Sequence, residues 1–160
     1  MRKQRIYLET TLFNRYLEKE RDYHVETKRL FEEIIVGKYE AFTSAYVIEE
    51  LLKASEPKKS SMLLLLQRCK IVVLERSDEI EQLAGEYAKN GIIPEKYLYD
   101  AYHIACASVN GLDVIISLNF QHINKLKTKT MTELVNKLNG YRGVYIASPM
   151  EVVENEEQNE

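Results

Sequence analysis

Apolar positions along the chain follow two rhythms that alternate from one end to the other. Short apolar or β-branched runs at Arg5–Leu8, Glu40–Thr43, Ile71–Leu74, Asp113–Ser117 and Val144–Ile146 predict five short strands. Between them the spacing is helical. Leu30, Phe31, Ile34 and Ile35 form one face of a helix from His24 to Val36, and Val47, Ile48, Leu51 and Leu52 form another after Ser44. Further helices are predicted over Leu12–Glu20, Ser61–Cys69, Ser77 to about Asn90, Asp100–Val109 and Thr132–Asn139. Thr10 or Thr11, Ser44 and Ser77 are candidate N-caps, and Gly37, Asn110-Gly111 and Gly140 are stops. The Ile71–Leu74 strand reads as buried, and Pro149-Met150 as the start of a frayed end. Regular alternation predicts an α/β fold built from βαβ units: a parallel sheet of about five strands with helices on both faces.

With 160 residues, 45% apolar and 29% charged, the chain suits one globular domain with a real core. Residues 1–150 are expected to form it, and residues 151–160 an acidic, disordered tail. That segment holds five Glu and no Lys or Arg, so the formal charge of −3 becomes +2 without it. The net charge of −3 argues against a globally basic nucleic-acid binder, yet the body is mildly basic, and Lys58, Lys59, Lys125, Lys127 and Lys129 are candidates to meet an RNA backbone. No apolar run reaches membrane-spanning length and the first residues do not read as a signal peptide, so no membrane partner is expected. Cys69 and Cys106 lie among apolar or small residues without metal-type spacing. They read as buried free thiols of a reducing, cytoplasmic protein.

The chemistry is first narrowed by what is missing. There is no glycine-rich phosphate loop and no Gly-x-Ser-x-Gly elbow. What remains is a set of polar residues at strand ends and helix starts: Glu9 after the first strand, Glu49 and Glu50 in the third helix, Asp100 opening another, and Asn119 past the fourth strand. Alone, Glu9 reads equally as an exposed edge-strand acid. Periodicity does not say which of Glu49 and Glu50 faces the cleft. In a parallel sheet ligands bind beyond the carboxyl ends of the strands. Carboxylates brought together there repel, and either take up a proton or hold a hard cation such as Mg²⁺ or Mn²⁺. Such an ion supports phosphodiester hydrolysis. His103 lies three residues after Asp100, on roughly the same helix face. It reads as a structural histidine or a group near a phosphate. His122 reads as an orienter of Asn119 or a helix cap.

Four segments carry a family resemblance: Ile6-Tyr7-Leu8-Glu9-Thr10-Thr11, Thr43-Ser44-Ala45-Tyr46-Val47-Ile48-Glu49-Glu50-Leu51, Asp100-Ala101-Tyr102-His103-Ile104-Ala105, and Ser117-Leu118-Asn119-Phe120-Gln121-His122-Ile123. In order and separation, from residue 5 to about residue 150, the chain resembles PIN-domain proteins of the VapC-type toxin class. It is nearest a branch with Glu-Thr-Thr and Asn-x-x-His-Ile. The resemblance implies an Mg²⁺-dependent endoribonuclease, the toxin of a type II toxin–antitoxin pair, with Mn²⁺ as a substitute. It implies an RNA substrate, an antitoxin protein as partner, and a homodimer. Carried over position by position, it implies Glu9, Glu50 and Asp100 as metal-binding and catalytic residues, with Asn119 where many members have a fourth acid. Thr10, Glu49, His103 and His122 would stand next to the metal or substrate. Two departures, Glu9 for Asp and Asn119 for an acid, keep a second expectation open: a PIN-like module that binds RNA or protein and is weak or inactive as an enzyme.

Overall fold

In a computed structural model describing residues 2–154, five strands form one all-parallel sheet in the order β3-β2-β1-β4-β5, flanked by helices on both faces. The strands are β1 (Gln4–Leu8), β2 (Tyr39–Ser44), β3 (Val72–Leu74), β4 (Val114–Ile116) and β5 (Tyr145–Ala147). The helices are α1 (Thr10–Leu17), α2 (His24–Ile35), α3 (Ala45–Leu51), α4 (Lys58–Arg68), α5 (Asp78–Lys89), α6 (Leu98–Val109), α7 (Leu126–Leu138) and α8 (Pro149–Val152). A 3₁₀ turn, Glu95–Tyr97, leads into α6.

Burial explains the order. Ile6, Tyr7 and Leu8 are fully buried on both faces of β1, the pattern of a central parallel strand. β1 pairs with β2 on one side and β4 on the other, with Leu8 opposite Ile116. Val114, Ile115 and Ile116 are buried as well. The β3 strand departs from the expected buried strand. It is an edge, paired only through Phe42–Ser44 of β2, and Val72 and Val73 are about half exposed. β-branched content marks strand propensity, and it does not say whether both flanks of the strand are covered.

Other departures concern ends. Helix α7 begins six residues before the expected Thr132, because the Lys-Thr-Lys-Thr run hides a buried threonine face. Thr128 Oγ1 donates to the His122 carbonyl at 2.7 Å and Thr132 Oγ1 to the Thr128 carbonyl at 2.7 Å, so those hydroxyls are buried satisfied. The expected frayed end at Pro149 is a helix instead. Glu151 and the Ser148 backbone and hydroxyl form a capping box, and α8 packs against α2. Glu154, expected in the acidic tail, pairs with Lys38 at 2.7 Å; residues 155–160 of that tail lie outside the described residues. The stop after α6 is as the sequence implies. Gly111 takes φ +64° and the Leu112 amide reaches back to the Ala107 carbonyl, which turns the chain directly into β4. No helix among the described residues is long and apolar enough to cross a membrane.

Candidate active site

The carboxyl ends of β1, β2 and β4 carry a run of buried polar side chains, against the apolar composition of the strands themselves. Glu9 is the first. It directly follows β1, and its amide extends the ladder by donating to the Ile116 carbonyl at 3.2 Å. It also occupies the N-cap position of α1 with extended backbone, but its side chain does not cap the helix. Neither do the expected caps Thr10 and Thr11, whose hydroxyls turn elsewhere. Thr11 Oγ1 donates to Glu9 Oε1 at 2.5 Å and Ser117 Oγ donates to the same oxygen at 2.7 Å. Both hydroxyls are anchored in turn: Thr11 Oγ1 accepts from the Leu118 amide and Ser117 Oγ from the Asn119 amide, each at 2.9 Å. Glu9 is 3% exposed, and burial raises its pKa, against the charge of His103 and these hydrogen bonds.

Glu50 comes from the last turn of α3, a helix capped by Ser44 at the end of β2. Its Oε1 accepts from Thr10 Oγ1 at 2.6 Å and from His103 Nε2 at 2.7 Å. Burial alone would raise its pKa; the bond and charge of His103, with Thr10, outweigh that and hold it below the usual carboxylate range. Glu49, one residue earlier and about 100° around the helix, leaves the site. It pairs with Arg76 and accepts from the Tyr99 hydroxyl, beside the Tyr46, Tyr99 and Tyr102 rings.

His103 is the hub. It is fully buried on α6, one turn beyond Asp100. Its Nδ1 lies 2.7 Å from the Tyr7 hydroxyl, which lies 2.7 Å from Ser44 Oγ. Burial alone would lower its pKa, but the Glu50 bond and the charges of Glu9, Glu50 and Asp100 raise it above the ordinary histidine value. A charged ring donates from both nitrogens. Nε2–H then faces Glu50, Nδ1–H faces Tyr7, and Tyr7 donates onward to Ser44, so both ring nitrogens and the Tyr7 hydroxyl are paired. Tyr7, raised well above its usual value chiefly by burial, stays a neutral phenol.

Asp100 sits in the first turn of α6. Burial raises its pKa, partly offset by the charge of His103 and a hydrogen bond from Asn119. Asn119 also holds its own loop, accepting the His122 amide at 2.9 Å. The His122 ring stacks on Tyr97, with centroids 4.1 Å apart. A cleft of about 620 Å³ opens over Asp100 and Asn119.

The fold thus brings together Glu9, Thr10, Glu50, Asp100, His103 and Asn119, sets His122 at the rim, and leaves Glu49 in a neighbouring cluster. Sequence reasoning missed Tyr7, Thr11, Ser44 and Ser117, which position the acids. Their one signal was polarity at the ends of otherwise apolar strands. The carboxylates of Glu9, Glu50 and Asp100 and the side-chain carbonyl of Asn119 offer oxygens, the set a hard divalent cation takes. Two of the three acids have raised pKa values, chiefly because they are buried. Among the described residues, however, no three His, Cys, Asp or Glu side chains stand together as a ready-made metal cage. The donor chemistry fits such an ion; the present hydrogen bonds of Glu9 and Glu50 would have to yield part of it.

This is an α/β protein with an acidic centre at the carboxyl edge of a five-stranded parallel sheet. A family profile described as PIN domain matches residues 6–126, and the chain belongs to that family. No curated protein matches its sequence. Solved structures share the fold. One is a chain of the crystal structure of VapBC2 from Rickettsia felis bound to a DNA fragment from their promoter, with TM-score 0.59 and 15% identity over 91% of this chain and 98% of that one. Another is VapC20 from Mycobacterium tuberculosis, a toxin that cleaves the sarcin–ricin loop, with TM-score 0.56 and 15% identity over 76% of this chain and 97% of that one.

Proposed function

We propose that the chain is a divalent-metal-dependent endoribonuclease acting as the toxin of a type II toxin–antitoxin pair. Acids after β1, in α3 and in α6 lie at one carboxyl edge of the sheet, with Glu50 hydrogen-bonded to the buried His103; that observation carries the reading. With Glu9, Glu50 and Asp100 ionised and His103 charged, the centre carries a formal −2, which one divalent cation balances. Glu9, Glu50 and Asp100 would hold Mg²⁺ or Mn²⁺, which when bound polarises the phosphodiester and lowers the pKa of water. The protein's own contribution is orientation. Thr11 and Ser117 hold Glu9 on Oε1, Thr10 and His103 hold Glu50 on Oε1, and Asn119 holds Asp100. His103 keeps Glu50 ionised, and the cleft above Asp100 admits the scissile phosphate. The toxin role, with an antitoxin protein as partner, is supported by the fold shared with VapBC2 and VapC20; a homodimer as the working form rests on the sequence resemblance alone.

The test is cleavage of single-stranded RNA with Mg²⁺, by the wild type and by Asp100→Asn. Metal-dependent cleavage by the first and cleavage about 100-fold slower by the second is expected; equal activity would reject Asp100. A second reading, a PIN-like binding module without catalysis, is favoured by the lack of a ready-made metal cage among the described residues and by Asn119. Calorimetric titration with Mn²⁺ separates the two, because a module without a site takes up no metal stoichiometrically.

A further inference from the structure

Three large aromatic rings that a folded chain would ordinarily cover stand at the surface around one cleft. Tyr23, at the start of α2, is 41% exposed, Tyr97, in the turn before α6, 37%, and Phe120, in the loop after β4, 43%. All three line the cleft over Asp100 and Asn119, together with His122, Arg15 and Arg21. The rings are arranged in two walls. Tyr97 stacks on His122 with planes 29° apart, and Tyr23 meets Phe120 edge-on with centroids 5.7 Å apart. Tyr23 is held there with φ +68°, a left-handed backbone rare for a residue with a side chain.

Two polar atoms of the same lining are incomplete. His122 Nε2 is buried without a hydrogen-bond partner, and so is Arg15 Nε, which has only Glu18 at 3.6 Å. Unpaired buried polar atoms are costly, and a ligand with donors and acceptors on its edge relieves them. Flat apolar walls, an incomplete polar edge and two guanidinium groups beside a phosphodiester centre describe the recognition of an unstacked base.

We propose that this cleft binds one unpaired nucleobase of single-stranded RNA, stacked against Tyr97 and Phe120, next to the phosphodiester at Asp100. Arg15 and Arg21, which share the Glu18 carboxylate, lie on the same lining for the flanking phosphate to recruit, as does His122 for the base edge. The proposal rests on the nuclease reading and deepens it by naming the side chains that hold one base beside the cleaved bond. A duplex cannot present a base this way.

The experiment is a fluorescence titration of the full chain in EDTA with a short oligoribonucleotide carrying one 2-aminopurine. The same strand with an abasic position, and the strand annealed to its complement, serve as comparisons. Quenching on binding, and about tenfold weaker affinity for the abasic strand and for Tyr97→Ala or Phe120→Ala, are expected. Tyr97→Phe, which keeps the ring, should bind as the wild type does. An abasic strand that binds equally well would overturn the assignment and leave the cleft to a protein partner. The two readings fail separately. Base-dependent binding without Mg²⁺-dependent cleavage keeps the cleft and removes the nuclease. Cleavage with a KM unchanged in the alanine variants does the reverse.

Discussion

The two ends of β4 treat acids in opposite ways. Asp113, just before the strand, is surrounded by donors: Arg2 at 3.0 Å, Arg142 at 3.1 Å and the Arg5 amide at 2.8 Å. Burial would raise its pKa, but these groups together hold it below the usual value. Beyond the other end, Asp100 and Glu9 are raised by burial, and the cation set among them is one histidine, shared with Glu50. The first site is electrically complete and anchors the chain. The second sets three acids against the one histidine buried among them. In one sheet, then, an acid's role follows from the cations around it and not from its place on a strand.

Asp100→Asn should have the largest effect. Loss of one charge-stabilising group costs on the order of 100-fold in rate, read as initial rates of RNA cleavage at fixed Mg²⁺. Asp113→Asn should leave that rate unchanged; a matching loss would erase the distinction between the two ends. The next effect is on heat stability. Mg²⁺ at about 100 times its Kd stabilises the fold by about 2.7 kcal/mol, several degrees in Tm for a domain of this size. Calorimetry should show that rise in the wild type and in Asp113→Asn, and none in Asp100→Asn.

His103→Gln should cost roughly 1–3 kcal/mol in urea denaturation, because the imidazole bonds to the Tyr7 hydroxyl and the Glu50 carboxylate are both lost. The loss should depend on pH. The folded pKa of His103 is raised, so in EDTA its stabilisation is full below the unfolded-state value of 6.5 and fades as pH rises through the folded value. The gap between wild type and His103→Gln should therefore narrow in alkali. The smallest change belongs to Asp113→Asn, below about 1 kcal/mol, since its arginine partners are largely exposed. Its pH trend has the other sign. A lowered pKa gives stability that is present above 3.8 and disappears as pH falls through the folded value. Parallel trends at the two ends would contradict the comparison.

Much of this was legible in the residues. The alternation of elements, the all-parallel sheet, most helix starts and the glycine stop after α6 follow from local rules of spacing and backbone conformation, which need no tertiary partner. The resemblance singled out Glu9, Glu50 and Asp100, and the fold gathers them around His103. Less legible were features set by what lies across space. Val72 and Val73 have strand chemistry, and only the neighbouring chain decides that β3 is an edge. Thr128 and Thr132 look like surface residues until their hydroxyls find backbone carbonyls. Glu49 and Glu50 are alike in sequence, and one helical step of rotation sends them to different partners. The tyrosine in Ile6-Tyr7-Leu8 looked like core, and it is the hydrogen-bond partner of the central histidine.

The sequence by itself determined the elements, their order and the presence of three acids at strand ends and helix turns, because local backbone preference and hydrophobic period depend on near neighbours. Tertiary structure alone decided which carboxylate has its pKa lowered, which have theirs raised, and which aromatic rings meet over the cleft. Those properties depend on desolvation and on charges brought within a few ångströms by residues tens of positions apart.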